Sequence, residues 1–173
     1  MESIQIEHEW RNGYKVVEVF GSMSERQRQD VLHMWASEHA VQVQEAQRRV
    51  HQVACLILDP QGAVCGVSTA YLDVIKPGGH SWYLMRMFIR KNTRGLAGYP
   101  SIVSRVTRKL LARVSAHKGN LALGTAIVTE NPGLWKKGMH KKFERSGWVY
   151  QEKLPNGQEI WVCPFKGEWA ANE

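Results

Sequence analysis

From Trp82 to Ile89 the chain reads WYLMRMFI, and every residue except Arg86 is apolar or aromatic. A strand packed on one face alternates apolar and polar side chains. A strand with a continuous apolar run is covered on both faces and lies inside a sheet. His80–Ile89 is therefore expected to be a central strand. A single charge in such a strand, Arg86, needs a partner or a task.

The surrounding pattern gives the rest of the architecture. Residues 14–20 carry Val16, Val17 and Val19 and read as a first strand closed by Gly21. Ser22 or Ser24 can cap a helix, and Gln27 stands three residues after Ser24, the spacing of a capping box. That helix is expected to reach Glu38, with Val31, Leu32, Met34 and Trp35 on its inner face. A second, mostly polar helix over residues 41–50 should lie on the surface. Three strands follow, at Val53–Leu58, residues 63–75 and His80–Ile89. Asp59-Pro60-Gln61-Gly62 and Lys76-Pro77-Gly78-Gly79 separate them as turns, and Gly66 suggests a bulge. Pro100 suits the first turn of a helix over Tyr99–His117, whose stripe is Ile102, Val103, Val106, Leu110, Leu111 and Val114. Residues 121–129 read as a strand. Residues 133–146 read as a helix with Leu134, Trp135, Met139 and Phe143 inward. Strands at 148–150 and 159–162 flank Leu154-Pro155-Asn156-Gly157, a hairpin signal. The tail, residues 167–173, is expected to fray. Strand, two helices, three strands, helix, strand, helix, two strands is the order of a mixed α/β fold, and 173 residues suit one domain, 1–173.

Composition narrows the function classes. No apolar run is long enough to span a membrane, and the polar, acidic start is unlike a signal peptide. Cys55, Cys65 and Cys163 are odd in number and lack metal-ligand spacing, so they read as reduced thiols of a cytoplasmic protein with no metal. The net charge of +7 is uneven: residues 86–145 hold fourteen Lys and Arg against Glu130 and Glu144, a net of +12, and the remainder sums to −5. That stretch reads as a solvated face with phosphate sites, or as the footprint of a polyanion such as nucleic acid.

Residues 82–117 carry the most chemistry. A strand runs into a basic, glycine-containing loop, and the loop opens a helix. A helix N-terminus presents unpaired N–H groups and a partial positive charge, a seat for pyrophosphate. Arg90, Lys91 and Arg94 add charge, and Gly95 and Gly98 permit close backbone approach.

The run Phe88-Ile89-Arg90-Lys91-Asn92-Thr93-Arg94-Gly95-Leu96-Ala97-Gly98-Tyr99 resembles the cofactor-binding motif A of the GNAT acetyltransferase superfamily. Phe143-Glu144-Arg145-Ser146-Gly147-Trp148 resembles a later signature of the same superfamily. The resemblance covers about residues 14–165 and implies a GNAT-like central sheet, mixed but mostly antiparallel, flanked by helices. It implies acetyl-CoA or another acyl-CoA as cosubstrate, held by Met87, Phe88, Ile89, Arg94, Gly95, Leu96, Ala97, Gly98 and Tyr99. Asn131 would bind the pantetheine arm, and Lys137 the 3′-phosphate. The loop departs from the family spacing, with Gly95 and Gly98 out of phase. Phe143 stands where many members carry an acidic Tyr, so that proton donor does not carry over.

The implied reaction is attack of an amine on the thioester carbonyl. The backbone N–H near Met87 or Phe88 would stabilise the oxyanion. Four residues are candidates for the remaining chemistry. Glu130 is a base, or a carboxylate favoured by a helix dipole. His39 is a base near the acceptor, or a surface histidine. Tyr83 is catalytic, or a core aromatic. Arg86 orients an anionic acceptor, or pairs with Asp73 or Glu130. Asn131 has a helix cap as its alternative role. The basic run of residues 136–142 contacts the 3′-phosphate or nucleic acid, or is simply solvated, as His140 would be. Three functions remain open: acyl transfer to a small-molecule or protein amine; acyl transfer to nucleic acid, with a resemblance to phage Mom-type DNA-modification proteins; and a nucleic-acid-binding module that has lost catalysis.

Overall fold

The computed structural model describes residues 4–75, 79–95, 99–119 and 121–166. Its strands are β1 (Glu7–Glu9), β2 (Lys15–Glu18), β3 (Val53–Leu58), β4 (Val64–Ile75), β5 (His80–Ile89), β6 (Gly124–Val128), β7 (Val149–Lys153) and β8 (Glu159–Pro164). Its α-helices are α1 (Glu25–Ser37), α2 (Val43–Arg49), α3 (Tyr99–His117) and α4 (Lys137–Arg145). The fold is mixed α/β, with one sheet in the order β1-β2-β3-β4-β5-β6-β8-β7. β5 is internal, as its apolar run requires. β5, α3 and β6 form a strand–helix–strand crossover, and β5 and β6 pair in parallel at Tyr83–Thr125 and Leu84–Ala126. The other registered pairs are antiparallel.

The structure gathers into two compact units, Met1–Ala70 with Arg86–Leu110, and Tyr71–Met85 with Leu111–Glu173. In the first, α1 begins at a complete capping box. Ser24 Oγ accepts from Gln27 N–H and Gln27 Oε1 accepts from Ser24 N–H. Removing such a cap costs about 1 kcal/mol. Val31, Met34 and Trp35 turn inward onto Val17, Val19, Leu56, Val64 and Val67. α2 contributes Ala46, while Val43 is exposed. The bulge expected at Gly66 is present: Ile57 pairs with Gly66 and Leu58 with Val64, leaving Cys65 as the extra residue. Glycine is required there, because a Cβ would lie 2.9 Å from the Phe88 carbonyl oxygen and 2.7 Å from Ile57 Cδ1. From α3, Val103, Val106, Leu110 and Leu111 are buried, with Ile102 and Val114 partly so. Thr107 is fully buried, and its hydroxyl lies 2.7 Å from that of Ser68.

Among the described residues of the second unit, two apolar clusters form. Trp82, Ala126 and Val162 form one. Met85, Trp148 and Trp161 form the other, with Ile127 and Phe143 against it. Truncating a buried tryptophan of this kind to alanine costs about 3–5 kcal/mol.

Three expectations change. Glu7–Glu9 forms an edge strand, which its acidic sequence does not suggest. It is held by the β2 register and by Lys15 Nζ donating to Glu7 Oε2 at 3.0 Å. The strand expected over 121–129 is shorter, Gly124–Val128. The helix expected over 133–146 divides into a 3₁₀ turn at Pro132–Trp135 and α4, because Lys136 takes extended angles, φ −73° and ψ 143°. Leu134, Trp135, Met139 and Phe143 are accordingly half-buried. The turn at residues 76–78 and the tail at 167–173 lie outside the described residues. Cys55 and Cys65 are buried and Cys163 is half-buried, and none of the three forms a disulfide among the described residues.

Candidate functional site

The candidate residues fall in two sets, one in each unit. In the first unit, β5 ends at Ile89 and the chain turns at once. Thr93 N–H donates to the Arg90 carbonyl at 2.9 Å, and Arg94 N–H donates to the same oxygen at 3.1 Å. Thr93 is buried and fixes the turn, with its hydroxyl donating to Asn92 Oδ1 at 3.1 Å. Arg94 folds back over the strand end. Its Nε donates to the Ile89 carbonyl at 2.7 Å, and its guanidinium lies 5.6 Å from the centre of the Phe88 ring. That carbonyl points away from β4, since Arg90 N–H, one residue on, donates to the Cys65 carbonyl in β4. Gly95 is exposed, and a Cβ there would meet no atom within 4 Å. Leu96, Ala97, Gly98 and the side chain of Tyr99 lie outside the described residues. Arg86, Met87 and Phe88 are half-buried.

His39 follows α1. It is exposed and takes left-handed angles with φ 50°, the position after a helix that glycine usually fills. Its N–H donates to the Ala36 carbonyl at 3.2 Å. The preceding Glu38 accepts from Lys91 N–H at 3.5 Å, a weak contact at the edge of hydrogen bonding.

In the second unit, Tyr83 is 3% exposed, and burial pushes its phenol above the usual value of 10.0. It therefore keeps its proton at neutral pH and suits a donor better than a base. Glu130 is exposed. Asn131 caps the 3₁₀ turn, its Oδ1 accepting from Gly133 N–H at 2.9 Å. Lys137 is exposed at the start of α4.

One cluster escaped the sequence reading. Trp135 Nε1 donates to Thr129 Oγ1 at 2.8 Å, and Thr129 Oγ1 accepts from Glu159 N–H at 2.9 Å. Glu159 is buried, and its Oε2 accepts from Trp161 Nε1 at 3.0 Å. His140 is not merely solvated. Its Nε2 lies 2.9 Å from Glu159 Oε2, and its ring centre lies 5.1 Å from that of Trp161. The usable signal is the period of two in β8, which puts Glu159 and Trp161 on one face. The partners come from distant segments and carry no sequence signal. Among the described residues no group of His, Cys, Asp and Glu is arranged to hold a metal ion, and no helix is long and apolar enough to cross a membrane.

No protein-family model and no curated protein sequence matches this chain. Solved structures do. The chain is similar to the GNAT domain of S. lividans PAT, with TM-score 0.62 and 12% identity over 92% of this chain and 96% of that one. It is similar to the GNAT superfamily phosphinothricin acetyltransferase of Sinorhizobium meliloti in complex with acetyl-CoA, with TM-score 0.58 and 13% identity over 88% of each. It is also similar to a GCN5-related N-acetyltransferase from Kribbella flavida, with TM-score 0.52 and 16% identity over 88% of this chain and 98% of that one. At identities this low the likeness is one of backbone, and together with the internal strand, basic turn and long helix it shows that this chain has the GNAT fold.

Proposed function

We propose that this protein is an acyl-CoA-dependent N-acyltransferase, with acetyl-CoA as the simplest donor. The observation that carries the reading is the way β5 ends: an internal strand closed by a basic turn that leads into the N-terminus of a nineteen-residue helix, in a GNAT fold. The residues present fit a pyrophosphate. Arg90, Lys91 and Arg94 supply positive charge, and Gly95 leaves open space where a side chain would otherwise stand.

Strand pleating supports one oxyanion donor over its neighbour. The N–H and C=O of a strand residue point to the same edge, and the edge alternates with each residue. Ser81 accepts from Leu123 N–H in the segment leading into β6, whereas Arg90 donates to β4. Odd-numbered residues therefore use the edge away from β4. Met87 is odd-numbered, so its N–H, rather than that of Phe88, suits a carbonyl oxygen approaching that edge.

In the reaction the amine lone pair attacks the thioester carbon. The C–S bond breaks, the nitrogen gives up a proton, and the leaving thiolate takes one. Tyr83, protonated throughout the neutral range, is the proposed donor to the thiolate. Glu130 and His39 are the proposed proton acceptors, and Arg86 is proposed to orient an anionic group on the acceptor. Asn131 and Lys137 are proposed to contact the pantetheine arm and the 3′-phosphate.

Calorimetric titration of CoA and acetyl-CoA tests the reading. Micromolar binding of both is expected. Arg94→Ala should weaken it by about 1.5–3 kcal/mol through loss of a charge-assisted contact. Absence of binding would overturn the proposed function. Unchanged affinity in Arg94→Ala would overturn the placement of the pyrophosphate.

A further inference from the structure

The outer surface of α4 is strongly charged, and beyond Lys137 the proposed acyl transfer leaves that charge unused. His140 and Phe143 turn inward, and their ring centres each lie 5.1 Å from that of Trp161. The helix period then places Gly138, Lys141, Lys142 and Arg145 together on the opposite face, at i, i+3, i+4 and i+7. All four are exposed. The stripe contains no acid; Glu144, the one carboxylate in α4, flanks it.

An aromatic ring stands beside this helix. Tyr150 of β7 pairs directly with Trp161 of β8, so both side chains leave the same face of the sheet, the face that α4 covers. Their ring centres lie 5.4 Å apart, nearly edge to face, and Tyr150 remains 44% exposed. The charged groups nearby on β7 are Glu152, which is half-buried, and Lys153, which is exposed.

We infer that the Lys141–Lys142–Arg145 stripe and Tyr150 form a binding surface for single-stranded nucleic acid. Three cations along one helix face suit consecutive phosphates, whose neutralisation releases counterions. An exposed ring beside the same helix suits an unpaired base, which has a free face to stack, whereas bases in a duplex are stacked on each other. The acceptor of a simple acyl transfer needs neither feature. This inference concerns the protein without acyl-CoA and stands whether or not the proposed reaction does.

The test is fluorescence anisotropy of a labelled single-stranded RNA of ~12 nucleotides and of its duplex, between about 50 and about 200 mM salt. Single-stranded binding is expected to be the tighter. Its logarithmic salt slope should be about −2, from three neutralised phosphates. Lys142→Glu should weaken binding about tenfold, while Arg26→Glu, an equal charge change on exposed α1, should change it by less than about twofold. Tyr150→Ala should weaken single-stranded binding about tenfold, and Tyr150→Phe should restore it. Circular dichroism checks that each variant folds. Equal losses in Lys142→Glu and Arg26→Glu would overturn the inference, because net charge alone would explain the binding. Tighter binding of the duplex would overturn it too. So would displacement of the RNA by saturating CoA, which would assign the stripe to a nucleotide, or equal affinity for polyglutamate, which would assign it to an acidic protein.

Discussion

His140 Nε2 lies 2.9 Å from Glu159 Oε2, and the carboxylate of that pair is buried. The same oxygen accepts from Trp161 Nε1, so the imidazole of α4 and the indole of β8 both stand against it. A buried carboxylate that loses a polar neighbour keeps its desolvation penalty. His140→Ala should therefore lower stability by about 1–3 kcal/mol. A double-mutant cycle with Glu159→Gln, followed by denaturant unfolding, should show coupling above about 0.5 kcal/mol. Additive losses would show that the two side chains act separately.

Gly124 faces Pro164 in the β6–β8 ladder, and a Cβ there would lie 2.2 Å from the Cys163 carbonyl oxygen. Neither backbone can yield without breaking the pairing. Gly124→Ala should destabilise by more than about 3 kcal/mol and leave much of the protein insoluble on expression, as overpacking against rigid atoms does. Gly95→Ala, placed in open space, should leave the melting temperature unchanged. Equal melting temperatures for both variants would contradict the backbone approach at Gly124.

His39 takes a left-handed conformation with φ 50° at the end of α1. Such angles cost a side-chain-bearing residue about 1–2 kcal/mol that glycine does not incur. The unfolded chain of a glycine variant is more flexible, which offsets part of the gain. His39→Gly should raise stability by about 0.5–1 kcal/mol, measured by thermal unfolding. If the same variant loses acyl transfer, His39 acts on substrate.

Burial disfavours the phenolate of Tyr83, so its folded-state value lies above the unfolded 10.0. That contribution to stability is complete below pH 10 and is lost as pH rises from there through the folded value. In an ultraviolet titration, one of the five tyrosines should ionise later than the free phenol, and Tyr83→Phe should remove that late step. A late step that survives the substitution would assign the shift to another tyrosine.

Most elements were legible because their signals are local. The apolar run at 82–89 required an internal strand, and β5 is internal with β4 and β6 beside it. Ser24 and Gln27 marked a helix start by their spacing alone, and both capping bonds are present. The turn after Ile89 was legible as a break between strand and helix because its charge and glycine content need no tertiary context.

Other features depend on partners that no local pattern identifies. Glu7–Glu9 pairs because β2 offers an open edge, not because acidic residues favour strands. Residues 133–146 have a helical pattern, yet the chain straightens at Lys136, where Trp135 is held by Thr129 across a turn. His140 looked solvated among lysines until the fold brought Glu159 and Trp161 to it.

The sequence by itself determined the mixed α/β class, the central strand and the uneven charge, since these follow from periodicity and composition. Only the tertiary structure decided that Glu159 is buried against His140 of α4 and that Tyr150 stands exposed beside Trp161. The reason is physical. Burial and convergence depend on which distant segments pack together, and that is a property of the whole chain's lowest free energy rather than of any one stretch.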